Sequence, residues 1–125
     1  KLQAAVIFLE VGDTKVLIDC GMEQGNNPYQ NAELPVSYSD IDYVFLTHAH
    51  IDHAGMLPWI YARGFKGQII TTYATADLCG IMLRDSAHIQ EMEAEWRNRK
   101  ARRAGKTEVE ALYTMQDAEG VLGHF

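Results

Sequence analysis

Thr47-His48-Ala49-His50-Ile51-Asp52-His53 follows directly on the apolar stretch Tyr43-Val44-Phe45-Leu46, so three imidazoles and a carboxylate fall within six consecutive positions. Imidazole nitrogens and carboxylate oxygens are the donors that a borderline cation such as Zn²⁺ or Mn²⁺ takes, and no thiolate joins the cluster. The pattern therefore points away from a structural zinc knuckle and toward a two-metal, hydrolase-like site. If residues 43–46 form a buried strand, His48 and His50 lie on the loop just past its end, where alternate side chains point to one side and share an ion. Asp52 and His53 then fall to a second ion. The competing reading, surface histidines that happen to be neighbours, fits poorly with such tight spacing after an apolar strand.

At 125 residues and 47% hydrophobic, the chain can build a core of modest size, as one globular unit or a piece of one. The net charge of -6 argues against a protein whose whole surface binds nucleic acid. The positive charge is nevertheless concentrated: Arg97, Arg99, Lys100, Arg102, Arg103 and Lys106 lie close together. No apolar run is long enough to span a membrane, and the first residues lack the order of a signal peptide, so the expected location is cytoplasmic. Cys20 and Cys79 show no metal-ligand spacing and read as reduced, buried thiols.

Two apolar runs, residues 4–11 and 15–19, are joined by Gly12-Asp13, which supplies the chemistry of a tight antiparallel hairpin. Residues 21–39, rich in Gly, Asn, Pro and Tyr without sustained periodicity, read as a long irregular loop. A helix is expected over residues 55–63, closed by Gly64, and a strand over residues 68–72. The alternation of strand and helix predicts a mixed sheet covered by helices, an α+β chain.

A single long helix is expected over residues 75–103, because Leu78, Ile81, Met82, Ile89, Met92 and Trp96 recur at helical spacing, which predicts that this face is buried. Asp85 and His88, three apart near that stripe, read as a hydrogen-bonded pair or cap rather than as metal ligands. Thr114 with Asp117 opens a last short helix reaching to about residue 122 by the logic of the capping box. The basic run at the end of the long helix has two readings. One is a solvated tail favoured by the helix dipole; the other is contact with a polyanion backbone through Arg99, Lys100, Arg102 and Arg103.

Leu17-Ile18-Asp19-Cys20-Gly21 and residues 46–55, Leu-Thr-His-Ala-His-Ile-Asp-His-Ala-Gly, resemble the first and second motifs of the metallo-β-lactamase superfamily. Met56-Leu57-Pro58-Trp59, Gly64-Phe65-Lys66-Gly67, Thr71-Thr72-Tyr73-Ala74-Thr75 and Leu83-Arg84-Asp85-Ser86-Ala87-His88 resemble one branch of it, the β-CASP nucleases of bacterial and archaeal type. That branch includes ribonuclease J-like enzymes and the endonuclease subunit of the messenger-RNA cleavage and polyadenylation machinery. The likeness runs from about residue 5 to residue 122.

The resemblance implies a four-layer αββα fold with two Zn²⁺ ions, or Mn²⁺ in their place, at the edge of a β-sandwich. It implies that His48 and His50 bind the first ion, Asp52 and His53 the second, and that Asp52 orients the hydroxide these ions activate for cleavage of an RNA phosphodiester. Asp19 matches an aspartate that supports the site. The third-motif histidine, the bridging aspartate and the β-CASP domain are absent. His124 follows a glycine but lacks the strand context of that third motif. Residues 1–125 thus read as the amino-terminal part of a metallo-β-lactamase domain, with RNA and the remainder of the parent enzyme as partners and oligomerisation open. Two alternatives stand beside the ribonuclease: a hydrolase of a small ester, thioester or lactone, and a non-catalytic RNA-binding subunit.

Overall fold

Gly12 and Asp13 reverse the chain between β1 (Ile7–Val11) and β2 (Thr14–Ile18), which pair antiparallel from Ile7 opposite Ile18 to Val11 opposite Thr14. Gly12 takes φ +60°, the left-handed conformation that a tight turn demands and that glycine adopts without a Cβ clash. This is a computed structural model, describing residues 6–22 and 36–125. The loop expected over residues 21–39 lies for the most part outside the described residues; its end, Tyr38–Asp40, is a turn of 3₁₀ helix.

β3 (Tyr43–Phe45) and β4 (Gln68–Ile70) add in parallel beyond β2, completing a four-stranded sheet in the order β1-β2-β3-β4. Leu17, Val44 and Ile69 are aligned across β2, β3 and β4 and all are buried, because successive side chains on a strand alternate between faces and these three share one. That face carries the core. The opposite face presents Ile7, Val11, Phe45 and Ile70, all exposed. The strand expected over residues 43–46 is therefore buried on one side only. Of the four layers implied by the resemblance, the described residues form one sheet with helices packed on its buried face.

The connection from β3 to β4 contains two helices, α1 (Ile51–Ala54) and α2 (Leu57–Ala62), where one was expected. The break falls at Gly55, next to Pro58 near the start of α2. A Cβ on Gly55 would sit 2.6 Å from the Ile51 carbonyl and 2.9 Å from Met22 Cβ, so glycine is what lets α1 end tightly against the chain leaving β2.

α3 (Tyr73–Arg103) starts two residues earlier than periodicity suggests, because the Thr72 hydroxyl accepts from the Thr75 amide and caps it. Its buried residues are Cys79, Leu83, Ser86 and Ala87. Of the stripe expected to be buried, Met82 is partly buried against the core, and the rest is exposed: Leu78 at 58%, Ile81 at 72%, Ile89 at 46%, Met92 at 56% and Trp96 at 52%. The helix packs through Leu83 and through the small Cys79, Ser86 and Ala87, and α4 (Met115–Leu122) lies against both α2 and α3. Thr114 and Asp117 form the full capping box at the start of α4. Just before it, the Tyr113 hydroxyl meets Ser86 Oγ at 2.7 Å inside the core.

Candidate metal centre

The parallel strands β2 and β3 end side by side, and the chain leaving each of them builds the site. After β2, Asp19 N donates to the Phe45 carbonyl at 2.8 Å and Cys20 N to the His53 carbonyl at 2.7 Å. Met22 N then donates to the Ile51 carbonyl at 2.9 Å, while Met56 N returns to the Cys20 carbonyl at 3.0 Å. The first of these bonds ties the segment after β2 to β3, and the other three fasten that segment to α1 and the turn that follows it. His48 and His50 lie on the loop after β3, as the spacing suggested. Asp52 and His53 belong to the short helix α1, not to the loop.

His48, His50 and Asp52 each offer a ligand atom, and the three atoms lie within 4.8 Å of one another. Two imidazole nitrogens and a carboxylate oxygen at that separation suit a divalent cation of the zinc or manganese kind. His53 sits beside them: its Nε2 is 3.6 Å from Asp52 Oδ2, and its ring centroid is 3.6 Å from that of His48. His53 thus borders both His48 and Asp52.

Beneath this cluster Asp19 is buried, with its backbone at φ +62°, a conformation that aspartate tolerates better than most residues. The turn aims its carboxylate back at the loop. Oδ1 accepts from the Thr47 amide at 2.8 Å, Oδ2 from the Thr47 hydroxyl at 2.8 Å, and Oδ2 lies 2.8 Å from His53 Nδ1. Thr47 is the contributor that sequence reasoning missed. Its position immediately before the first histidine was the available signal, but a threonine there reads as ordinary strand-end composition. Cys20 lies next to Asp19 with its thiol pushed up to about 12, first by burial and then by the Asp19 charge, so it stays neutral at physiological pH. Both cysteines are free and buried.

Other candidate residues lie elsewhere. His124 Nδ1 donates to the Gly67 carbonyl at 2.8 Å, and its ring packs near Tyr61 and Phe65, outside the cluster. Asp85 and His88 are exposed on α3, and neither forms the hydrogen bond that their spacing suggested. Arg99, Lys100, Arg102 and Arg103 are exposed at the carboxyl end of α3. There Arg102 Nε is 3.1 Å from Glu108 Oε1, and Lys100 Nζ sits 3.8 Å over the Trp96 ring.

Fold and cluster together define a mixed α/β protein with a histidine and carboxylate cluster able to hold a metal where parallel strands end. Residues 1–111 match the family model of the metallo-beta-lactamase superfamily, and the chain belongs to that superfamily. It is 33% identical over 118 residues to "Ribonuclease TTHA0252" of Thermus thermophilus, covering 94% of this chain and 23% of that protein. It is 34% identical over 95 residues to "Cleavage and polyadenylation specificity factor 73" of Drosophila melanogaster, covering 71% of this chain and 14% of that one. The chain therefore spans less than a quarter of the length of either relative. Among solved structures, a mutant metallo-beta-lactamase from Cronobacter sakazakii with a HARLDQ motif superposes at TM-score 0.52 with 26% identity, covering 66% of this chain and 33% of that one. No helix among the described residues is long and apolar enough to cross a membrane.

Proposed function

We propose that this chain contributes part of the active site of a divalent-metal-dependent ribonuclease of the β-CASP type. The observation that carries the reading is the convergence of His48, His50 and Asp52 within 4.8 Å, with His53 alongside and tied to Asp19. The ribonuclease name of a relative matched over 94% of this chain supports RNA as the substrate class. In this reading His48 and His50 hold a first ion and Asp52 and His53 a second, Zn²⁺ being the cation best suited to the donors. Two such cations acidify water and neutralise charge developing on a phosphodiester.

The chain's own residues supply the aim. Asp19 holds the Nδ1 proton of His53, which leaves Nε2 as the basic nitrogen on the ligand side. Asp52 accepts a hydrogen bond from the attacking water and directs its lone pair at phosphorus; the P–O bond opposite then breaks. Arg99, Lys100, Arg102 and Arg103 contact the backbone of the same RNA at a distance. They stand about 40 Å along α3 from Thr72 at the helical rise of ~1.5 Å per residue. Thr71 bonds to the Leu46 carbonyl beside the metal loop, so a bound strand several nucleotides long would connect the two regions.

The exposed apolar face of the sheet supports reading residues 1–125 as the amino-terminal part of a metallo-β-lactamase domain, with a second sheet seated on that face. The experiment is an activity assay of the intact protein on single-stranded RNA and on small esters, thioesters and lactones, with Zn²⁺ or Mn²⁺ added. RNA cleavage lost on chelation is the expected result. Intact RNA alongside a cleaved small ester would replace the nuclease with a small-substrate hydrolase.

A further inference from the structure

α3 carries two faces with different chemistry, and among the described residues only one packs against other elements. Asp85, Ile89, Met92, Trp96, Arg99 and Arg103 follow one another in steps of four, three, four, three and four residues. That alternation is the seam of a helix that pairs with another helix. All six are exposed, and the stripe lies opposite the side through which Cys79, Leu83, Ser86 and Ala87 pack into the core. Within this stretch apolar residues occupy the middle, with Asp85 before them and two guanidinium groups after, and Leu78 and Ile81 continue the same exposed stripe toward the amino end of the helix.

We infer that this face pairs with a second copy of the chain, the two α3 helices running antiparallel about a point between Met92 and Trp96. That arrangement sets Met92 of one chain against Trp96 of the other, places Ile89 beside Arg99, whose aliphatic stem covers it, and brings Asp85 opposite Arg103. Each charged pair occurs twice by the two-fold symmetry. A parallel pairing would instead set Asp85 against Asp85 and Arg103 against Arg103, so the charge pattern selects the antiparallel direction. Lys100 and Arg102 stay at the rim of the seam, so in the dimer the phosphate contact proposed above falls to these two, while Arg99 and Arg103 are taken up by the pairing.

The test is the mass of the intact protein by sedimentation velocity over a range of concentrations, with circular dichroism confirming that each variant is folded. A dimer is expected. Asp85→Arg alone and Arg103→Asp alone should each weaken it by about tenfold or more through like-charge contacts, and the double variant Asp85→Arg/Arg103→Asp should restore it. Ile89→Glu/Met92→Glu should give monomer. A monomeric wild type, or a dimer indifferent to all these variants, overturns the inference and assigns the stripe to another part of the same protein. Loss of RNA retention in Arg103→Asp with its mass unchanged makes this face a nucleic-acid surface instead, an outcome that leaves the ribonuclease reading intact.

Discussion

Asp19 Oδ2 and His53 Nδ1 lie 2.8 Å apart, joining the end of β2 to helix α1 across 34 positions of sequence. The bond fixes which imidazole nitrogen carries the proton and leaves the other on the side of Asp52. Asp19 also holds the Thr47 amide and hydroxyl, so one buried carboxylate sets both the start of the metal loop and one ring of the cluster.

Asp19→Asn keeps the size of the side chain and removes its charge. Metal affinity should fall by roughly 10- to 100-fold, the usual effect of losing a group that orients a ligating histidine. Calorimetric titration of the intact protein with Zn²⁺ measures this. Unchanged affinity would mean that His53 is oriented without Asp19 or takes no part in binding.

His50→Ala and Asp52→Ala should each abolish RNA turnover with little loss of fold, since both side chains lie outside the hydrophobic core. Cleavage of a labelled single strand, read beside the thermal melt, separates lost chemistry from lost structure. An active Asp52→Ala would sink the two-metal assignment.

Ser86→Ala removes the 2.7 Å partner of the buried Tyr113 hydroxyl and leaves it Gln90 alone. The expected cost is about 1 kcal/mol of stability, the typical net contribution of one hydrogen bond. Adding Tyr113→Phe removes the weakened hydroxyl and should recover part of that loss. Urea midpoints of the three variants test it, and equal stability of Ser86→Ala and the wild type would show that the bond contributes nothing.

Burial raises Cys20 from 9.0 to about 12, with the Asp19 charge adding to it, and raises Cys79 from 9.0 to about 11 and Tyr113 from 10.0 to about 12. The unfolded chain therefore loses these protons before the folded one does, and stability declines as pH rises from about 9 toward 12. Melting temperature against pH should fall through that window and fall less steeply for Cys20→Ala. A flat profile from pH 9 to 11 would contradict the burial of these groups, as would rapid alkylation of Cys20 in the folded protein at pH 8.

Much of the fold was legible where the governing physics is local. The hairpin at Gly12-Asp13 and the cap of α4 at Thr114 and Asp117 depend on turn and capping chemistry within a few residues. α3 shows the boundary of that legibility. Its length followed from periodicity, but its orientation did not: the stripe through Ile89, Met92 and Trp96 suggested one buried face, and the helix packs through Leu83 with Cys79, Ser86 and Ala87 on another side. Periodicity reports that a stripe exists, and only the shape of the neighbouring helix decides which stripe is covered.

For the site, the sequence by itself determined the donor types and their order, because His48, His50, Asp52 and His53 are neighbours along the chain. It also marked Asp19 through the motif that follows β2. Only the tertiary structure decided that Asp19 meets Thr47 and His53, and that His124 is held by Gly67 away from the cluster. Those contacts span tens of residues and exist because β2, β3 and β4 align in one register; no local propensity encodes that alignment.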